Sequence, residues 1–341
     1  MNARPLTCAI GVVLSGLVLA LSAPAQATMT VFDYGVVSAG PISLSGNAQI
    51  TGGTKAHRPA IFSELSGDPN AIELSGNARL AGDVYSVSPT DDVTLSGNTS
   101  IGGLRPKQMS SLADQHIHLN QAVLALPSLN VAAFEALATN VIDANSATHG
   151  NMTLQNIRIA AGTNPVFSGN VNLRGLVLIE SPNVVRFEGN VNLVGMIVGE
   201  NAADDPSGAD SISFAGNVRS RGVQALPNKA PFKQIRKMGG SMLIAPDFDV
   251  SFQGNTKINN GTIAVDSLSF TGNTRAKVDG SVLIYGNTQF DLHGNTRLLI
   301  EHGPNQGMPP GLGASVPEPA SLLVTALGAL AALRARRRRN G

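Results

Sequence analysis

Two aspartate pairs and one histidine pair are the groupings in this sequence best suited to chemistry. Asp91-Asp92 (SPTDDV) and Asp204-Asp205, with Asp210 close behind (NAADDPSGAD), bring carboxylates together. Such pairs can divide acid and base roles in glycan cleavage, or chelate a hard cation such as calcium. Both sit in turn-rich sequence, and neighbouring segments carry no matching acids at equivalent offsets. They therefore read as solvated turn acids, with weak calcium binding by the Asp204, Asp205 and Asp210 loop as the alternative. His116-Ile117-His118 has the look of a metal pair, yet at helical i, i+2 spacing the rings diverge and no third ligand follows. His57, His149, His293 and His302 stand singly. The body has no G-x-S-x-G and no phosphate-binding loop, and the only cysteine is Cys8. The reading is of a chain that is not an enzyme and that holds no cofactor and no metal.

Composition narrows the partners. Six of the 24 basic residues, Arg4 and five near the C-terminus, lie in the two ends, which leaves 18 against 22 or 23 acids in the body. A mildly acidic body argues against nucleic acid, whose phosphates need a basic face. With no Trp and three Tyr, the chain lacks the flat rings that stack on sugars, so a dedicated aromatic carbohydrate cleft is disfavoured. Gly and small polar residues are abundant, and β-branched residues recur in short runs, the composition of many short strands and turns. Asn98, Asn151 and Asn260 begin N-x-S/T sequons.

A repeat positions whatever the body does. Leu or Phe, one small or polar residue, then Gly-Asn recurs nine times, with its asparagines at Asn47, Asn77, Asn98, Asn170, Asn190, Asn217, Asn255, Asn273 and Asn295. Four residues before each glycine stands another apolar residue, proline in one copy, and apolar residues alternate again afterwards, as at Val171 and Leu173. Period-two alternation on both sides of a bend means strand, bend, strand with one buried face. Gly-Asn suits the bend because glycine takes positive φ freely and asparagine tolerates it. Successive glycines are 30, 21, 72, 20, 27, 38, 18 and 22 residues apart, and four of these eight gaps match one coil of a parallel β-helix. The expected fold is all-β, a parallel β-helix (solenoid) over residues 28–303 with loops or extra turns in the longer gaps and asparagine amides bonded from coil to coil. A β-sandwich with hairpins at Gly-Asn is the alternative; it accounts for the turns but not for identical residues at fixed offsets. Residues 107–147 break the rhythm and are rich in Leu, Ala and Gln. They read as a short helical insertion packed on the side, with helices over 110–126 and 131–144.

The ends speak of export. Residues 1–27 combine Arg4, an apolar run over 9–21 and Ala25-Gln26-Ala27, the small-x-small pattern of a signal peptide cleaved by signal peptidase after Ala27. After a linker at 304–315, residues 316–341 hold Val316-Pro317-Glu318-Pro319, an apolar stretch over 320–333, and Arg334, Arg336, Arg337, Arg338 and Arg339. Fourteen apolar residues make about 21 Å of helix against roughly 30 Å of hydrocarbon, a short C-terminal span with its arginines as a stop-transfer device on the cytoplasmic side. This trio of features resembles the PEP-CTERM sorting signal. The resemblance implies recognition by an exosortase, transient anchoring in the inner membrane, cleavage near the motif, and delivery to the cell surface or an exopolysaccharide matrix. Residues 32–40, FDYGVVSAG, leading into the first LSGN, are similar to solenoid segments of bactofilin-like and pilus-assembly proteins. The function expected is a structural or surface-display protein that meets exopolysaccharide and self-associates through exposed strand ends. An adhesin or a polysaccharide-modifying enzyme on the same scaffold is the alternative.

Overall fold

Alternation around each Gly-Asn pair is what the chain uses to build its core. The computed structural model describes residues 29–54, 57–90, 93–108, 115–201, 210–259, 261–301 and 308–313. At all nine repeats the residues four before and two after the glycine are buried, and so are those two before it, except half-buried Leu95. Some copies make short strands on either side of the bend, as Ile42–Leu44 and Gln49–Gly52 do. Others run through it as one long strand, as in Val166–Ile179, Val184–Gly199 and Ser211–Arg221.

These strands form a large curled parallel sheet. Each repeat lies beside the next in identical register: Phe167 faces Phe187, which faces Phe214, then Phe252, Phe270, Leu292, Leu44, Leu74 and Leu95. Parallel pairing throughout these repeats replaces the antiparallel hairpins that a β-sandwich would require. Inside the curl, the five phenylalanine rings stack at 5.1, 4.9, 4.6 and 5.1 Å between centroids. Offset-parallel rings at this spacing add to the burial of their area.

The order of repeats across the sheet is not their order in the chain. The strand Val36–Ser38 is flanked on one side by Ile61–Ser63 and on the other by Val282–Ile284, so the first repeat docks against the last. From there the early repeats run outward to Val93–Leu95 and Ile117–His118, at one extreme. The chain then crosses to the opposite extreme at Asn140–Ile142, and Met152–Ile159 begins the return. The 72-residue gap is thus a traverse, not a loop or extra turn between neighbours. Loop length is cheap compared with burial, so a distant repeat can fill the place that sequence order would give to the next one.

Over its described residues, which leave out 109–114, the traverse is less helical than its composition predicts. Its described part contains the four-residue helix Ala132–Glu135 and the strands Ile117–His118, Ser128–Leu129 and Asn140–Ile142. Pro127 and the β-branched pair Val141 and Ile142 disfavour helix, and open strand partners at Val84–Ser86 and Met152–Ile159 capture the chain instead. Leu129 and Phe134 bury against Leu176, Met196, Ile244 and Leu283, which form a second apolar cluster on the outer face of the sheet. Within the stretch read as a linker, Leu312–Gly313 pairs antiparallel with Ser128–Leu129.

Candidate functional site

The most regular polar feature of the molecule is the row of Gly-Asn bends. Each glycine has positive φ and lies against the backbone of the glycine in the adjoining repeat, as Gly189 does against Gly169. The following asparagine amide hydrogen is handed across: the Asn77 N–H donates to the Gly46 carbonyl at 2.7 Å and the Asn295 N–H to Gly272 at 3.0 Å. With the backbones locked in step, the exposed side chains form a ladder. Nδ2 of Asn170 donates to Oδ1 of Asn151 at 2.7 Å, Asn190 to Asn170 at 2.8 Å, and Asn217 to Asn190 at 2.9 Å. The direction persists through the junction of last and first repeats, where Asn47 donates to Asn295 at 2.8 Å and Asn77 to Asn47 at 3.0 Å. All nine predicted turn asparagines stand in this row.

Asn151 is a tenth member that the repeat pattern missed. Its copy reads Thr148-His149-Gly150-Asn151, with threonine where the others have Leu or Phe. The signal was nonetheless present: Gly150 precedes Gly169 by 19 residues, within the common spacing.

Two residues beyond each ladder asparagine runs a second row in the same register. Asn172 faces Asn192, then come Arg219, Lys257, Arg275, Arg297, Gln49 and Arg79. Between the two rows lies an open groove of about 820 Å³ lined by Asn190, Asn217, Arg219, Lys257 and Arg275 among others. A second hollow of about 350 Å³ involves Gln49, Arg79 and Asn98 at the other end of the rows.

The other chemistry-capable residues are dispersed. Asp210 is buried, with its carboxylate accepting hydrogen bonds from the Ser181 hydroxyl and the Asn183 N–H, both at 2.5 Å, which ties it into the sheet edge. Asp91, Asp92, Asp204 and Asp205 lie outside the described residues. His116 and His118 do not diverge: Nδ1 of His116 and Nε2 of His118 approach the two oxygens of Asp83 at 2.7 and 3.4 Å. The change from helix at His116 to strand at Ile117–His118 produces this convergence, and the His118 ring stacks on Tyr85. Among the described residues no group of three or more His, Cys, Asp or Glu side chains is arranged to hold a metal ion. His149 bonds to Ser168, His293 to Ser45 and His57 to the Ile300 carbonyl. His302 is outside the described residues.

Burial perturbs several acids. The Glu64 carboxyl, which accepts the Leu124 N–H at 3.2 Å, is pushed up to about 7 by desolvation, against a weaker opposing effect of that bond. Asp266 is raised by burial first and by Asp249 second, and Asp291 by burial. The sorting residues Val316, Pro317, Glu318 and Pro319, the arginines Arg334 and Arg336–Arg339, and the cleavage residues Ala25 and Ala27 all lie outside the described residues. Among the described residues no helix is long and apolar enough to cross a membrane. Compared with family models, curated proteins and solved structures, the chain matches none.

Proposed function

We propose that this chain is an exported structural protein: a parallel β-helix whose C-terminal signal directs it, through exosortase processing, to the cell surface or an exopolysaccharide matrix. The observation that carries the reading is the unbroken register of the Gly-Asn rows. Ten repeats present the same polar groups at one spacing, roughly 4.8 Å per strand step, and nothing in that regularity singles out one repeat as a reaction centre. A surface of this kind suits display and repeated lateral contact. The two ends of the chain support the location, through their likeness to a signal peptide and to the PEP-CTERM signal.

Mass spectrometry of protein recovered from the cell surface tests the proposal. Loss of residues 1–27 and of everything close behind Pro319 is expected. Recovery of the chain only in the inner membrane, with its C-terminus intact, would overturn it.

A further inference from the structure

We infer that the groove between the asparagine ladder and the neighbouring cationic row binds an extended acidic polysaccharide lying along the stacking direction. The inference rests on the reading of the chain as an exported matrix protein, and it names the class of glycan which that protein would hold.

Charge supplies the first argument. Arg219, Lys257, Arg275 and Arg297 face one another in four consecutive repeats, and Arg79 follows after one intervening glutamine. All five are exposed. Like charges directly opposite on parallel neighbours destabilise a sheet. No ion pair to a carboxylate relieves this row among the described residues, and the polar contact it does make is from Arg297 to Gln49 at 2.9 Å. By contrast Lys277, two positions further along, is paired with Glu301 at 2.8 Å. A body that carries more acids than bases has therefore collected unneutralised cations into one line. An anion with the same repeat satisfies them all.

The second argument is hydrogen bonding. An asparagine side chain offers two N–H donors and two acceptor lone pairs. Each ladder bond consumes one donor and one acceptor, so an asparagine bonded on both sides, as Asn170, Asn190 and Asn47 are, keeps one N–H and one lone pair for a ligand. Carboxylates beside hydroxyls are the natural complement of cations beside carboxamides, and a polyuronate presents that combination at each sugar. Nucleic acid fits less well, because among the described residues no aromatic side chain lines the groove on which bases could stack. Recognition here uses charge and amides in place of the aromatic platforms that this chain lacks.

The full chain purified in mild detergent can be titrated against alginate, against neutral dextran and against an oligothymidylate, at several salt concentrations. Alginate should bind with a salt-dependent affinity and dextran should not. The triple variant Arg219→Gln, Lys257→Gln and Arg275→Gln should bind alginate roughly tenfold or more weakly, and its log-affinity should depend less steeply on log salt by about one unit per cation removed. Its melting temperature should hold or rise, because repulsion is relieved. A control variant, Lys229→Gln and Lys233→Gln, alters exposed cations outside the rows and should bind as the parent does. Unchanged alginate binding by the triple variant, equal binding of dextran, or tighter binding of the oligothymidylate overturns the inference. Because the titration needs no export, its failure with processing intact rejects the glycan alone, whereas a chain retained unprocessed in the inner membrane rejects the underlying reading.

Discussion

Single residues in the bends divide into those the backbone cannot replace and those it can. Gly189 has φ of +113°, and a Cβ added there would meet the Gly169 carbonyl oxygen at 2.5 Å. Gly189→Ala should therefore cost about 1–3 kcal/mol in backbone strain alone, before any displacement of the adjoining repeat, and urea unfolding will read it. Asn217→Ala removes a ladder bond on either side, at 2.9 and 3.4 Å, but on an exposed row. About 1 kcal/mol is expected from the same measurement, less than for the glycine. Glu64 gives a pH signature of its own. Its folded pKa near 7 lies above its ordinary 4.5, so the native state keeps a proton that the unfolded chain has lost, and stability falls as pH rises between those values. The fall should be on the order of 1–2 kcal/mol after solvent screening, and Glu64→Gln should flatten it. The turn asparagines were legible because a bend that must repeat in register needs the same two residues every time. The meeting of His116 and His118 at Asp83 was not, because it depends on which strand the traverse adds to.

At the level of strands, five phenylalanine rings inside the curled sheet form a column. Phe214 stacks on Phe187 at 4.9 Å and on Phe252 at 4.6 Å, with 1% of its surface exposed. Phe214→Ala would open a void between two rings that are held by their own backbones, so little collapse can fill it. A loss of about 3–5 kcal/mol is expected, visible as a lower urea midpoint. The alternation that builds this column could be read directly, since period two survives any order of stacking. The helices predicted over 110–126 and 131–144 could not be judged that way. Ala, Leu and Gln favour helix locally, but strand partners decide the outcome: Val84–Ser86, more than 30 residues upstream of Ile117–His118, and Met152–Ile159, which begins ten residues after Ile142.

Across the whole molecule, the stacking order is the feature that local sequence conceals, because nothing near Gly46 announces that its neighbour is Gly294. It makes a further prediction. Gly35 packs against Ile300, so residue 301 and residue 31 can be joined by a short linker, while the chain is reopened at the exposed turn between Ser146 and Ala147. In this permutant every repeat follows its spatial neighbour; the contacts of residues 29, 30 and 308–313 are given up, among them the Thr30–Asp33 bonds and the pair between Leu312–Gly313 and Ser128–Leu129, and the pairing of Asn140–Ile142 with Met152–Ile159 now joins the two ends. It should reach the same fold and refold faster than the parent in stopped-flow experiments, because fewer contacts join distant parts of the chain. Failure to fold would mean that the first repeat must form before the last arrives. That same two-residue pair has a mechanical meaning. Ser128–Leu129 lies near Ser241–Asn259, midway along the stack. Anything that grips the protein beyond residue 313 therefore holds it amidships, like a boat moored by the beam, and pulling on that tether would load the flank before it could peel a terminal layer.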